Sequence, residues 1–199
     1  MKDIPPINEN KMKKILFVNA CIRENSRTEE LCRQFLKRTE EKYLIEEVAL
    51  SQMDLKPIDA AALKQRDRDI SSGNLDNDRY RLAHQFSEAD SIVIAAPYWD
   101  CLFPAILRIY LEQICVTDIT FSYSEDGALV KRCRADSLTY ITTCGGFLPE
   151  RSAPESLIRE MGRLFSIEKV DFYAAEGLDI FPEKAHEILN QTLKRMIEG

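Results

Sequence analysis

The chain has 199 residues, 45% of them apolar and 30% charged, which is room for one ordinary domain with a proper core and no mark of disorder. Its net charge of -6, with acidic residues scattered rather than blocked, speaks against a nucleic-acid partner, whose phosphates call for a basic surface. No stretch approaches the ~20 apolar residues of a membrane helix and the opening residues lack a signal-peptide middle, so a cytoplasmic, reducing setting is expected.

Residues 1–12 read as a polar arm containing Pro5 and Pro6, and residues 13–199 as a single domain. The run Ile15-Leu16-Phe17-Val18-Asn19-Ala20 is short, apolar and unalternating, as a strand buried on both faces should be. Ser26 with Glu29 has the form of a capping box, and Leu31, Phe35 and Leu36 follow at helical spacing, predicting a helix over about 27–41. A second strand is expected over 43–50, a short helix around 60–66, and another over 78–88 from Tyr80, Ala83 and Phe86. Ser91 to Ala96 is the clearest buried strand, stopped by Pro97. Pro104 can open the next helix at its first turn. Residues 117–134, with Asp126-Gly127, read as a loop or short hairpin. Then come a strand over 137–143, a helix over 152–165, a strand over 167–174 and a closing helix over 183–197.

Five strands alternating with helices imply a parallel sheet with helices on both faces. Ligands of such sheets bind beyond the carboxyl ends of the strands, where strand order reverses. That rule selects the loops after the first, third and fourth strands. The first, Cys21 to Thr28, brings Arg23, Ser26, Arg27 and Thr28 to a helix N-terminus, whose free N–H groups favour an anion. Ser26 can cap the helix, face the anion, or do both. It contains no glycine, which excludes both the Walker A loop and the dinucleotide-binding turn. The second loop, Pro97-Tyr98-Trp99-Asp100-Cys101 onward, sets aromatics where a flat ring could rest or where they simply pack. The third, Thr143-Cys144-Gly145-Gly146, lets backbone approach a ligand closely or makes an ordinary turn.

At these residues the sequence resembles the flavodoxin-like NAD(P)H:quinone oxidoreductase and FMN-dependent azoreductase family. Ser26-Arg27-Thr28 with Leu31 is similar to its phosphate loop, the segment Pro97 to Arg108 to its P-M-Y/W-N-F-x-x-P pattern, and Thr143 to Gly146 to its S-R-G-G turn. A further echo is Phe121-Ser122-Tyr123 with Gly127. The resemblance implies a flavodoxin-like three-layer sandwich on a five-stranded parallel sheet, FMN as cofactor, and NADH or NADPH as cosubstrate. The acceptor would be a quinone, azo or nitro compound. The phosphate would lie at Ser26 and Thr28, the isoalloxazine against 97–101, and its pyrimidine edge at Thr143, Gly145 and Gly146. Family members commonly pair as homodimers, which would place Tyr123 at the substrate entrance and make the helix from Pro104 a candidate interface.

The chain departs from the family with Cys21, Asp100, Cys101 and Cys144, where Ser, Asn, Phe and Arg are usual. An aspartate lacks the amide donor of Asn. These departures keep two alternatives open, an electron carrier and a family member that has lost FMN and serves as a binding module. The six cysteines form no C-x-x-C pair, and with only His84 and His186 no common zinc spacing exists, so free thiols and no metal are expected. The three loop cysteines read as small, semi-apolar filler or as a thiol cluster. Neither histidine sits in a hydrolase pattern.

Overall fold

A computed structural model describes residues 12–198; the expected arm lies outside the described residues except for Met12. In chain order the elements are β1 (Lys13–Asn19), α1 (Arg27–Lys37), β2 (Tyr43–Ala49), α2 (Ala60–Ser72), α3 (Arg81–Glu88) and β3 (Ser91–Ala95). There follow α4 (Ala105–Ile114), β4 (Phe121–Tyr123), β5 (Leu129–Lys131), β6 (Ser137–Thr143), α5 (Ala153–Leu164), β7 (Lys169–Ala175) and α6 (Ala185–Glu198).

Five strands form one parallel sheet in the order β2-β1-β3-β6-β7. The unalternating apolar run of β1 has a simple cause, because both of its faces are covered. Ile15 and Phe17 enter one core with Leu31 and Leu36 of α1 and Leu193 and Met196 of α6. Leu16 and Val18 enter the other, with Phe86 of α3, Leu107 and Leu111 of α4, and Ile158 of α5. This is the three-layer sandwich that the resemblance implied. The chain leaves β1 for β2 on one side and returns to β3 on the other, so a crevice opens at their carboxyl ends.

Several boundaries differ from the sequence expectation. The helix expected to reach residue 41 ends at Lys37, where Thr39 donates its hydroxyl to the Leu36 carbonyl at 2.7 Å and tightens the exit. The helix expected around 60–66 runs on to Ser72, and Gly73, with φ of 71°, supplies the left-handed residue that ends it. Two helices expected to start at 78 and 183 instead open with 3-10 turns, Asp78–Tyr80 and Pro182–Lys184. Residues 117–134 contain the short antiparallel hairpin β4–β5. In α4 the large side chains Leu107, Tyr110, Leu111 and Ile114 all face the core, Ile106 packs against it from the margin, and Ile109 is half-buried.

Candidate functional site

The loop after β1 turns sharply at Asn25, whose φ is 57°, and enters α1 through Ser26. Ser26 is the N-cap: its Oγ accepts the Glu29 N–H at 3.4 Å. The cap leaves the first N–H groups of α1 facing the crevice, where helix dipole and free donors favour an anion. Thr28 is buried, and its hydroxyl pairs with that of Thr143 at 2.7 Å, joining α1 to the end of β6. Arg27 leans across to the loop after β7. Its guanidinium donates to the Leu178 carbonyl at 3.2 Å and to Asp179 Oδ1 at 2.7 Å. Arg23 stacks over the Trp99 ring at 5.1 Å, a cation–π contact between the first and second loops.

The loop after β3 is fixed at its base, because the Ala96 and Tyr98 N–H groups donate to the Ile141 and Thr143 carbonyls at 3.1 and 3.0 Å. Its tip is a two-residue hairpin closed by reciprocal Trp99 and Leu102 backbone bonds of 3.1 and 2.8 Å. Both central residues have positive φ, 47° at Asp100 and 65° at Cys101. Such turns favour a short polar side chain at the first position, a role open to Asp as much as Asn. Asp100 and Cys101 are therefore exposed on the turn. The Tyr98 hydroxyl pKa is raised, first by burial and then by the neighbouring Cys101 thiol.

At the third loop the glycine turn is tied to the segment after β7. Gly177, Leu178 and Asp179 donate their N–H groups to the carbonyls of Gly146, Cys144 and Gly145 at 2.7, 3.2 and 3.0 Å. At Gly145 a Cβ would collide with the Asp179 carboxylate where it now lies, so a side chain there would displace that carboxylate. Burial pushes the thiols of Cys21 and Cys144 up to about 11, aided at Cys144 by the Glu176 carboxylate. Both stay protonated at neutral pH, and the Cys144 thiol lies against the Gly146 carbonyl at 3.1 Å, which fits filler better than a reactive cluster. The six cysteines are all free, and no metal-holding cluster occurs among the described residues.

These loops enclose a cleft of about 250 Å³ that brings together Arg23, Ser26, Arg27, Thr28, Pro97, Tyr98, Trp99, Thr143, Cys144 and Gly145. Cys21, Asp100, Cys101 and Gly146, also expected at the site, do not line it. Tyr123 stands exposed on the β4–β5 hairpin, against Phe121. Sequence reasoning missed Glu24, Asn25 and above all Asp179, which line the same cleft. The signal for Asp179 was available, because its loop also follows the carboxyl end of a sheet strand. A larger groove of about 550 Å³, between residues 53–59, α2 and residues 78–82, shares no lining residue with the cleft. Its arginines are already engaged: Arg79 approaches Asp69 and Arg81 approaches Asp78, each at 3.8 Å, and Arg66 donates to the Cys115 and Glu112 carbonyls.

The sequence matches the Flavodoxin_2 model, described as a flavodoxin-like fold, over residues 13–198. It is 37% identical over 123 residues to FMN-dependent NADH:quinone oxidoreductase 2 of Clostridium acetobutylicum, an alignment covering 59% of this chain and 61% of that relative's length. With the FMN-dependent NADH:quinone oxidoreductase of Clostridium beijerinckii the likeness is 30% over 198 residues, 94% of this chain and 98% of the other. The crystal structure of an azoreductase from Bacillus anthracis superposes with a TM-score of 0.81 at 22% identity, covering 94% of this chain and 98% of that one; this is a likeness of fold.

Proposed function

The chain belongs to the Flavodoxin_2 family, with its flavodoxin-like fold, and from that premise we propose that it holds FMN in the cleft and passes electrons from NADH or NADPH to a quinone-, azo- or nitro-type acceptor. The observation that carries this reading is convergence. A helix N-terminus, an aromatic loop and a side-chain-free glycine wall meet in one cleft at the strand-order reversal.

The residues present fit the cofactor. The N–H groups of Arg27 and Thr28 and the Ser26 hydroxyl would hold the phosphate, helped by the α1 dipole. Arg23 is the one lining cation without an ion-pair partner among the described residues, and it would add charge there. Tyr98 and Trp99 would wall the ring, and the bare Gly145 backbone would meet its polar edge. At about 250 Å³ the cleft falls below the ~300–1,000 Å³ usual for enclosing pockets, so it would grip the cofactor and leave part of it open to substrate. When bound, FMN supplies the electron-transfer chemistry.

The chain's own task is to orient and to stay inert. Cys21 and Cys144 keep their protons and offer no competing nucleophile. His84 is bonded to the Leu75 carbonyl at 2.9 Å on α3, and His186 is exposed on α6; neither lines the cleft. The exposed turn position of Asp100 favours the reductase over a member that has lost its cofactor, since the departure from Asn falls outside the lining. Tyr123 is assigned to the substrate entrance on its exposure. A homodimer is supported by the exposed apolar side chains Phe147, Ile180 and Phe181 near the cleft. A cytoplasmic setting is supported by the free thiols.

The test is an absorbance spectrum after FMN addition and desalting, followed by anaerobic NADH or NADPH. Retained flavin bands that bleach are expected. Flavin that washes away would overturn the proposal, and flavin that is kept but not bleached would point to an electron carrier.

A further inference from the structure

The fourth side of the cleft is closed by a loop that belongs to none of the three motif loops. Its backbone is bound to the glycine turn through Gly177, Leu178 and Asp179. From the opposite side Arg27 of α1 reaches it with hydrogen bonds, donating to both the Leu178 carbonyl and the Asp179 carboxylate. The other carboxylate oxygen of Asp179 packs where Gly145 would carry a Cβ. Asp179 is thus held by its own N–H, by Arg27 and by the absence of a side chain opposite.

We propose that Arg27 and Asp179 form a latch that positions residues 177–179 as the fourth wall of the cofactor cleft, Arg27 acting on flavin retention through Asp179 rather than as a phosphate ligand. The inference rests on the FMN reading above. The pair is substantially exposed, with side-chain accessibilities of 41% and 69%, so solvent screens its charge and its value is geometric. A planar guanidinium reaches a carbonyl and a carboxylate together, which an ammonium on a flexible stem does not reproduce. Both hydrogen bonds of the Arg27 guanidinium go to the loop, and Arg23 is the lining cation left without an ion-pair partner among the described residues. Asp179 is a positioning residue by the same logic: it touches Arg27 and Gly145.

The experiment compares Arg27→Gln, Arg27→Lys, Asp179→Asn and the double variant Arg27→Gln with Asp179→Asn. FMN affinity is read by flavin fluorescence, and backbone hydrogen exchange of residues 177–179 is read in FMN-free protein. Each single change is expected to weaken FMN by about two- to fivefold, the scale of a screened pair, while Tm stays nearly constant. Arg27→Lys should be no better than Arg27→Gln, the double variant no weaker than the poorer single, and exchange faster in every variant. Tighter FMN binding by Asp179→Asn, or full affinity in Arg27→Lys, would overturn the latch and make Arg27 a phosphate ligand. Should wild-type protein fail to bind FMN, the cofactor reading falls, yet the exchange data still decide the contact. Accelerated exchange would uphold the latch as a loop clamp, and unchanged exchange would reject it.

Discussion

Ser26 and Thr28 sit two residues apart in the same loop, but the fold gives them different work. Ser26 is partly open to the cleft and caps α1. Thr28 is buried, with its hydroxyl committed to Thr143. A Thr28→Ala change would strand the Thr143 hydroxyl at a cost of about 1–3 kcal/mol, so a lost cofactor in that variant would not isolate a phosphate contact. Ser26→Ala is cleaner. It removes the cap, worth about 1 kcal/mol, and one hydroxyl from the anion site. The expected result is a Tm lower by roughly 2–4 °C and FMN affinity weakened about tenfold, measured by thermal melts without flavin and by flavin fluorescence. The cap was legible because it is a contact across three residues. The Thr28–Thr143 pair joins residues 115 apart in sequence, and no local pattern announces it.

At the level of elements, α2 shows how a tertiary anchor sets a helix that its own pattern leaves undecided. It carries no apolar stripe into the core, and its one buried residue is Asp69. That carboxylate accepts from Gln65 on its own helix and from the Tyr80 hydroxyl, both at 2.9 Å, with Arg79 at 3.8 Å. Arg66 adds a second anchor by donating to the Cys115 and Glu112 carbonyls at 3.0 and 3.2 Å. The Gln65 and Tyr80 hydrogen bonds hold the Asp69 carboxyl below its ordinary range. A carboxyl lowered by folding contributes stability above its unfolded pKa, about 3.9, and that contribution disappears as pH falls through the lower folded value. Asp69→Asn should therefore lower Tm by a few degrees at pH 7, with the gap to wild type closing below roughly pH 4, as thermal melts across that range would measure. An unchanged gap at low pH would mean that shape rather than charge anchors α2.

For the whole molecule, the exposed aromatics are the feature least natural to an isolated chain. Phe147 and Phe181 lie edge to face with ring centroids 6.4 Å apart, over a Gly177 whose φ of 75° would strain any side chain placed there. Ile180 beside them and Tyr123 on the hairpin are also open, a pattern common at surfaces that meet a partner or ligand. Sedimentation equilibrium is expected to give twice the 22.9 kDa of the chain. Phe147→Ser with Phe181→Ser should shift the mass toward one chain. A wild-type mass of one chain would remove the homodimer from the proposal. α4, whose large side chains face inward and whose Ile106 also packs on the core, offers little apolar surface to such an interface beyond the half-buried Ile109.

The sequence by itself determined the layered sheet, because strands buried on both faces must be apolar throughout and the helices between them must carry one apolar side. It also placed the first three loops at one end of that sheet, since every parallel strand ends on the same side. The tertiary structure alone decided which side chains within those loops face the cleft. Asp100 and Cys101 went to the outside when the loop closed into a two-residue hairpin, and Thr28 turned inward to Thr143. It also decided that Arg27 answers to Asp179, 152 residues away. Periodicity records the burial of a face, which repeats along the chain; a contact between two particular side chains occurs once and leaves no period to read.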